Sequence, residues 1–151
     1  MPMRIVHISS VHTWKDPRIF FKQCSSLAQK GFDVHLLTPD SSDEKRNGVQ
    51  LHKVWDYDPA KQKKSILAKL FSPAKLFKIA RNLKPDVIHF HDPELIPWAL
   101  IHRMLGYITV YDIHEDNKTV IRHRNYIPDP FKELLSLLIG CIERLAHSVM
   151  P

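Results

Sequence analysis

Cysteine and glycine are both scarce in this chain of 151 residues. Its two cysteines, Cys24 and Cys141, lie far apart and form no Cys-x-x-Cys pair, so neither a zinc knuckle nor a disulfide framework is indicated and a reducing compartment is expected. With only four glycines, the chain has no Gly-x-Gly-x-x-Gly sequence, which argues against a nicotinamide or flavin dinucleotide enzyme. Any chemistry must therefore be carried by other side chains.

Long hydrophobic runs are also missing, although 44% of the residues are hydrophobic, which is enough for the core of one globular domain. The longest apolar candidate, Leu134 to Ile142, is much shorter than the roughly 18 residues that span a bilayer. The run from Met1 to Ser10 lacks the ordered regions of a signal peptide. We expect a cytoplasmic protein that meets a membrane, if at all, from its surface.

Acidic residues are absent between Pro59 and Pro85, although the chain carries a formal net charge of +6. This stretch contains eight cations: Lys61, Lys63, Lys64, Lys69, Lys75, Lys78, Arg81 and Lys84. Charge alone fits nucleic acid, anionic lipid or a phosphorylated substrate. Aromatic side chains for base stacking are limited to Phe71 and Phe77, so no nucleic-acid partner is predicted.

The last part of this stretch has an amphipathic helical pattern. Leu76, Ile79, Ala80 and Leu83 share one arc of the helical wheel, and the cations take the other. An ordinary surface helix explains the pattern. The alternative is a segment that lies on an anionic membrane surface. The side chains predicted to face that surface are Lys63, Lys64, Lys69, Lys75, Lys78 and Arg81.

Strand-like and helix-like segments alternate along the chain, which predicts an α/β fold: a Rossmann-like parallel sheet with helices on both faces. The predicted strands are Arg4 to Ser9, Phe32 to Thr38, Val49 to Val54, Asp86 to His91 and Tyr107 to Asp112. The predicted helices are Pro17 to Lys30, Pro73 to Leu83, Glu94 to Leu105 and Pro130 to Ala146. Gly31 and Gly106 stand where a helix C-cap needs positive φ.

The end of the chain indicates that residues 1–151 are one domain of a longer protein. Ser148 to Met150 follow the last predicted helix where another strand is due, and the sequence then stops. We expect a truncated domain. Its apolar helix, Phe131 to Leu145, would then expose a surface that favours self-association of the fragment.

Ligands of such sheets bind at the carboxyl ends of the strands, where three polar loops follow the first, fourth and fifth predicted strands. Their candidate binding residues are His12, Asp16, Arg18, His91, Asp92, Glu94, Asp112, Glu115 and Asp116. Asp16-Pro17 and Asp92-Pro93 are also typical helix N-caps, so each aspartate has a structural alternative. Arg18 either pairs with a neighbouring carboxylate or reaches a ligand anion.

Three histidines fall at these strand ends. His89 and His91 share one face of a strand, and His91 lies nearer the open end. We assign His89 to the core, whereas His91 adjoins Asp92 and Glu94 and could orient a sugar hydroxyl. His114 has a similar acidic setting. Two histidines and several carboxylates at adjacent strand ends favour a functional site.

Three stretches carry a family resemblance: 6–20, with His12 and Asp16-Pro17-Arg18; 89–95, His-Phe-His-Asp-Pro-Glu-Leu; and 111–116, Tyr-Asp-Ile-His-Glu-Asp. In this order they resemble the N-terminal domain of family 4 glycosyltransferases, enzymes of the two-domain GT-B fold. The resemblance covers nearly the entire chain. It implies retaining transfer of a sugar from a nucleotide diphosphate sugar, with this domain shaping the site of a glycan or lipid-linked acceptor.

The resemblance also implies roles for particular residues. His114 matches the catalytic histidine near the transferred sugar, and His91, Asp92 and Glu94 match a motif of one branch of the family. The donor, the one cofactor-like molecule implied, binds mainly in a C-terminal domain that this sequence does not contain. No metal is predicted. Because residues 14–18 replace a glycine-rich loop, and the phosphate-binding residues are absent, the fragment alone should not catalyse transfer.

Two other functions compete with this interpretation. A metal-dependent hydrolase could use His89, His91, Asp92 and His114, which are ligand types that zinc or manganese accepts. Only part of a usual ligand set is present, and the acidic groups are equally explained as caps. A non-enzymatic membrane-binding module is the second alternative, because the cationic segment alone could provide its function.

Overall fold

A computed structural model of the chain describes residues 1–54 and 66–113, together with residues 133, 136, 137, 140, 141 and 144. Its strands are β1 (Arg4–Ile8), β2 (Asp33–Thr38), β3 (Glu44–Arg46), β4 (Val49–Lys53), β5 (Val87–Phe90) and β6 (Ile108–Tyr111). A π-helix, Pro17–Cys24, leads into α1 (Ser25–Gln29). The later helices are α2 (Ile66–Asn82) and, after a 3₁₀ turn at Pro93–Leu95, α3 (Ile96–Met104).

The strands form one sheet in the order β3-β4-β2-β1-β5-β6. The five strands predicted from the sequence are parallel to one another in this sheet, which confirms the α/β fold. The expectation of a wholly parallel sheet is wrong at one edge, because β3 runs antiparallel to β4. Asn47 and Gly48 connect the two with φ values of 48° and 81°, as a tight two-residue hairpin requires.

Helices cover both faces of the sheet, as predicted. Because strand side chains alternate in direction, Val6 and Ile8 of β1 pack with α2 and α3 on one face, in a core that also contains Phe77 and Phe90. On the other face, the π-helix contributes Phe20 to a second core under β2 and β4. His7 lies between Val6 and Ile8 in β1, so its side chain is on the face of the π-helix.

The starts of two helices differ from the sequence prediction. The segment predicted as one helix from Pro17 is a π-helix before it becomes α1. The helix predicted to begin at Pro73 already includes Ile66, and Pro73 lies inside it. A proline in a helix costs a backbone hydrogen bond, but the packing of the later turns on the sheet compensates here. The six described residues within the predicted last helix are helical.

Two glycines end helices as predicted. Gly31 after α1 has φ of 90°, and Gly106 after α3 has φ of 91°, so both adopt a conformation that side chains with a Cβ disfavour. None of the helices in residues 1–54 and 66–113 is both long and apolar enough to cross a membrane.

Candidate functional site

The carboxyl ends of β1, β5 and β6 lie side by side in the sheet. The pairing places Ile8 opposite Phe90, and Phe90 opposite Tyr111, at the last position of each strand. The segments that follow these strands therefore begin at one edge. We call residues 9–18, 91–94 and 112–113, which follow the three strand ends, the rim.

Asp92 holds the first rim segment against the second. Its Oδ2 accepts hydrogen bonds from the Ser9 hydroxyl at 2.9 Å and from the Ser10 amide at 2.6 Å. The Ser10 hydroxyl donates to Glu94 Oε1 at 2.8 Å. Asp92 makes no side-chain cap to its own helix, so the capping alternative for this residue is wrong. The carboxylate is 3% exposed and serves as a clamp between β1 and β5.

His12 connects Asp92 to Asp16. Its Nε2 lies 3.6 Å from Asp92 Oδ1, and its Nδ1 lies 3.2 Å from Asp16 Oδ2. Asp16 Oδ1 accepts from the amides of Arg18 and Ile19, both at 2.9 Å, which confirms the predicted N-cap. Burial raises the pKa of Asp16, but these amide hydrogen bonds outweigh it and the net pKa is lowered. Asp16 is thus both a cap and a member of the rim.

Trp14 anchors the first rim segment. Its amide donates to Asp40 Oδ1 at 2.8 Å, beyond the end of β2. Its ring packs edge-on against Phe20 with centroids 5.5 Å apart, and the Arg46 guanidinium lies 4.6 Å above it. These contacts tie the first rim segment to the neighbouring part of the sheet.

Asp112 receives two side chains from the π-helix. Arg18 Nη1 donates to its Oδ2 at 2.6 Å, and Gln23 Nε2 donates to the same oxygen at 2.8 Å. The two residues are five positions apart, which would place them roughly 140° apart around an α-helix. In a π-helix, residues i and i+5 are hydrogen-bonded neighbours on successive turns, so both reach one carboxylate. Of the two alternatives for Arg18, the structure therefore contains the carboxylate pair.

His91 completes the contacts of Asp112. Its Nδ1 lies 3.2 Å from Asp112 Oδ2, and this hydrogen bond, helped by Gln23 and Arg18, holds the pKa of Asp112 well below its usual range despite burial. Because Asp112 is then ionised, His91 carries its proton on Nδ1 and presents a lone pair at Nε2. That nitrogen lies 3.2 Å from Nδ1 of His7, a buried residue of β1.

The three strand histidines form one stack. The His89 ring centroid is 4.5 Å from that of His7 and 4.8 Å from that of His91. Burial lowers the pKa of His89 to about 4 and that of His7 well below its usual value, and the neighbouring imidazoles act in the same direction. All three rings are therefore neutral at neutral pH. His89 is only partly buried, so its assignment to the closed core is incomplete.

Sequence comparison matches residues 5–115 of the chain to the family described as glycosyl transferase 4-like. The match covers β1 to β6 and the entire rim. The chain belongs to this family. A solved structure of sucrose-phosphate synthase from Thermosynechococcus elongatus is similar over 93% of this chain, with a TM-score of 0.59 and 16% identity. No curated protein sequence matches the chain.

The similarity to sucrose-phosphate synthase concerns the fold, which is that of a GT-B glycosyltransferase domain. The aligned 93% of this chain spans 40% of the length of that protein.

The rim unites every predicted binding residue that the structure describes. Contacts run from Glu94 through Ser10 to Asp92, and from there through His12 to Asp16. Asp16 caps the start of the π-helix at the Arg18 amide. The Arg18 side chain then contacts Asp112, which also contacts His91. His114, Glu115 and Asp116 lie outside the described residues.

Sequence reasoning missed four residues of this site: His7, Ser9, Ser10 and Gln23. The serines follow a strand directly, and this position was a usable signal. His7 was hidden because a lone histidine in an apolar strand resembles a core residue. Gln23 gave no signal, because a helix of α register would not bring it beside Arg18.

Among the predicted membrane-facing cations, Lys75, Lys78 and Arg81 are exposed on α2. Leu76, Phe77 and Ala80 of the same helix are fully buried against the sheet. The apolar stripe is therefore part of the core, as an ordinary surface helix requires. Lys63 and Lys64 lie outside the described residues, and the side chain of Lys69 does too.

Proposed function

We propose that this domain forms the acceptor side of a retaining glycosyltransferase. The enzyme would move a sugar from a nucleotide diphosphate sugar to a glycan or lipid-linked acceptor, in cell-surface polysaccharide or glycolipid synthesis. The continuous network from Glu94 to Asp112 carries the proposal. It gathers donors and acceptors from three chain segments at the edge where ligands of such sheets bind. Membership of the glycosyl transferase 4-like family supports the reaction class.

The chemistry of the rim suits a polyhydroxylated ligand. Glu94 is exposed, and His12, Asp16, Arg18 and Asp112 are partly exposed, so a ligand can reach these side chains from solvent. Carboxylates accept from sugar hydroxyls, whereas guanidinium and imidazole N–H groups donate to them. Buried Asp92 and His91 support this outer set from below. Such a preorganised surface orients an acceptor hydroxyl at a small entropic cost.

Catalysis itself requires more than these residues. By resemblance, His114 acts near the transferred sugar, with Glu115 and Asp116 beside it, and the donor nucleotide is held by a second domain. Stabilisation of the departing diphosphate then comes from groups that this chain does not contain. We expect residues 1–151 to bind acceptor carbohydrate weakly and to show negligible transfer alone.

Carbohydrate binding by rim variants tests this proposal. The chain is screened against a panel of glycans and lipid-linked saccharides, and binding is compared among the wild type, Glu94→Ala and the control Glu44→Ala. Glu44 lies on the edge strand β3, in an ion pair with Arg46. Glu94→Ala should weaken binding about tenfold, as loss of charged hydrogen bonds does, and Glu44→Ala should not. Equal binding by both variants would contradict the proposal.

Turnover measurements test the expectation that residues 1–151 show negligible transfer alone. The purified chain is incubated with nucleotide diphosphate sugars and the glycans that it binds, and the transferred sugar is quantified by mass spectrometry. Transfer should remain at the background level. A rate comparable to that of complete glycosyltransferases would show that the domain holds the donor itself, against the proposal.

We further propose that the protein is cytoplasmic and peripheral, with the cations of α2 facing an anionic membrane. Because Leu76, Phe77 and Ala80 are buried in the core, the contact is electrostatic and not an insertion of the helix. Polybasic surfaces gain about 1 kcal/mol per Lys or Arg near anionic lipid.

A further inference from the structure

The proposed acceptor role of the rim does not explain the stack of His7, His89 and His91. His7 is fully buried, and His91 is 1% exposed, so two polar rings occupy positions that apolar side chains would fill at lower cost. His7 Nε2 has no hydrogen-bond partner within the described part of the chain. Each of the three residues can offer one ring nitrogen such that all three nitrogens lie within 4.8 Å of one another.

We propose that His7, His89 and His91 form a binding site for a divalent transition metal of the zinc class, a function that goes beyond the acceptor role of the rim. His7 Nδ1 and His91 Nε2 are 3.2 Å apart. Two nitrogens bound to one tetrahedral zinc at the usual distances lie about 3.3 Å apart. The pair, which shares a hydrogen bond, is thus at ligand spacing, and His89 offers a third nitrogen within 4.8 Å.

The support around His91 is that of a metal ligand. Metal-binding histidines commonly donate their second N–H to a carboxylate, which fixes the tautomer and aims the other nitrogen at the ion. His91 Nδ1 has this relation to Asp112, and Asp112 is in turn held by Arg18 and Gln23. The outer support of the proposed site therefore exists before any metal binds.

The chemistry of the three side chains favours the same ligand. Neutral imidazoles have the lone pairs that a metal needs. Imidazole suits zinc, copper, iron and nickel better than magnesium or calcium. Three protein nitrogens leave one position of a tetrahedral ion for water or a ligand group.

This site differs from the metal set that the sequence suggested. His89 and His91 belong to both sets, but the Asp92 carboxylate is turned towards Ser9 and Ser10, and the third ligand is His7 of β1. The proposal concerns metal binding and makes no claim of hydrolysis. It is independent of carbohydrate binding, so the failure of one would leave the other intact.

Metal titration of the purified chain, with any affinity tag removed, tests the proposal. After treatment with a chelator, the protein is equilibrated with Zn²⁺ and analysed for bound metal, and Co²⁺ is added in parallel as a spectroscopic probe. One equivalent of zinc per chain and the intense visible bands of tetrahedral Co²⁺ are expected. Less than about a tenth of an equivalent, or only the weak bands of octahedral Co²⁺, would overturn the proposal.

Variants identify the ligands. His89→Ala, at a partly exposed position, should weaken zinc binding more than tenfold, and Asp112→Asn should weaken it by about 10- to 100-fold through loss of support to His91. The matched control is His52→Ala, because the His52 imidazole lies 2.7 Å from that of His35 in a pair that no third histidine joins among the described residues. Circular dichroism verifies folding. Unchanged binding in His89→Ala, or equal loss in His52→Ala, would place the metal elsewhere.

Discussion

Asp112 and Asp92 show how single carboxylates assemble this site. Asp112 Oδ2 is shared by Arg18, Gln23 and His91, and Asp92 Oδ2 is shared by two serines. Asp112 directly follows the last residue of β6, and Asp92 lies two residues after the last residue of β5. The sheet therefore positions both backbones while the side chains reach other segments. A few buried or half-buried carboxylates thus hold the segments of the rim together.

Asp92→Ala should lower the free energy of unfolding by about 2 kcal/mol, because it leaves the buried Ser9 hydroxyl and the Ser10 amide without their acceptor. Urea denaturation followed by circular dichroism measures this. Asp86→Ala is the control: Asp86 is exposed and accepts from the Arg4 amide, which water can satisfy after the substitution. Equal losses in the two variants would show that Asp92 is not a clamp.

The hydrogen bonds of a side chain could be predicted from the sequence where a local rule determines them. Asp16 before Pro17 predicts an N-cap, and the structure contains that cap. The same rule failed for Asp92-Pro93, because the tertiary donors Ser9 and Ser10, which follow β1, compete with the local amides for one carboxylate. No local rule distinguishes these outcomes, since the competing donors lie 82 and 83 positions away.

Helix register is the feature of the elements that matters most for the site. The π-helix places Arg18 and Gln23 against Asp112, and its Phe20 simultaneously packs under β2 and β4. Hydrophobic spacing predicted a helix here but could not reveal its register, which depends on tertiary contacts at both ends. The β3 hairpin was overlooked for a different reason: Glu44–Arg46 is short and charged, although Asn47-Gly48 is a strong turn signal.

At the α2 helix, the charge-reversed double variant Lys78→Glu/Arg81→Glu should reduce binding to phosphatidylserine-containing vesicles at least tenfold, if the surface contact is electrostatic. Co-sedimentation measures this effect. The matched control is Lys22→Glu/Lys30→Glu, which reverses two exposed cations on the opposite face of the sheet. Wild-type binding that does not depend on anionic lipid would refute membrane contact through α2.

On the scale of the whole molecule, the sheet collects histidines on both faces. In addition to the stack near the rim, His35 on β2 and His52 on β4 are paired at 2.7 Å. The pKa of both histidines is lowered, chiefly by burial. At His35, Asp33 raises the pKa, whereas Arg4 and Lys45 lower it. At His52, His35 lowers the pKa and Asp43 raises it. The folded protein therefore binds protons at this pair less readily than the unfolded chain.

Stability should consequently fall on acidification. Unfolded histidines have a pKa near 6.5, so the contribution of the His35–His52 pair is complete above about pH 6.5 and is lost as the pH falls through the lowered folded values. Urea denaturation at pH 7.5 and 5.5 measures the difference. His52→Gln should make the decline shallower, and an unchanged slope would show that the pair does not titrate in this window.

The alternation of strands and helices along the chain was the part of the architecture that the sequence supported best. Alternating apolar strands and amphipathic helices specify a parallel α/β sheet, and the rim follows because parallel strands end at one edge. Contacts across that edge, such as Ser10 with Glu94, needed the three-dimensional structure. They depend on which rotamers and helix registers the packed sheet permits.

The most direct test of the account is an NMR titration of the isotope-labelled chain with the carbohydrate that it binds best. If the rim is the acceptor side of a glycosyltransferase, backbone amides of Ser10, His12, Arg18 and Glu94 will shift, and those of Arg4, Asp33 and Asp86 at the opposite edge will not. Shifts confined to the opposite edge, or an unperturbed rim with every carbohydrate, would contradict it.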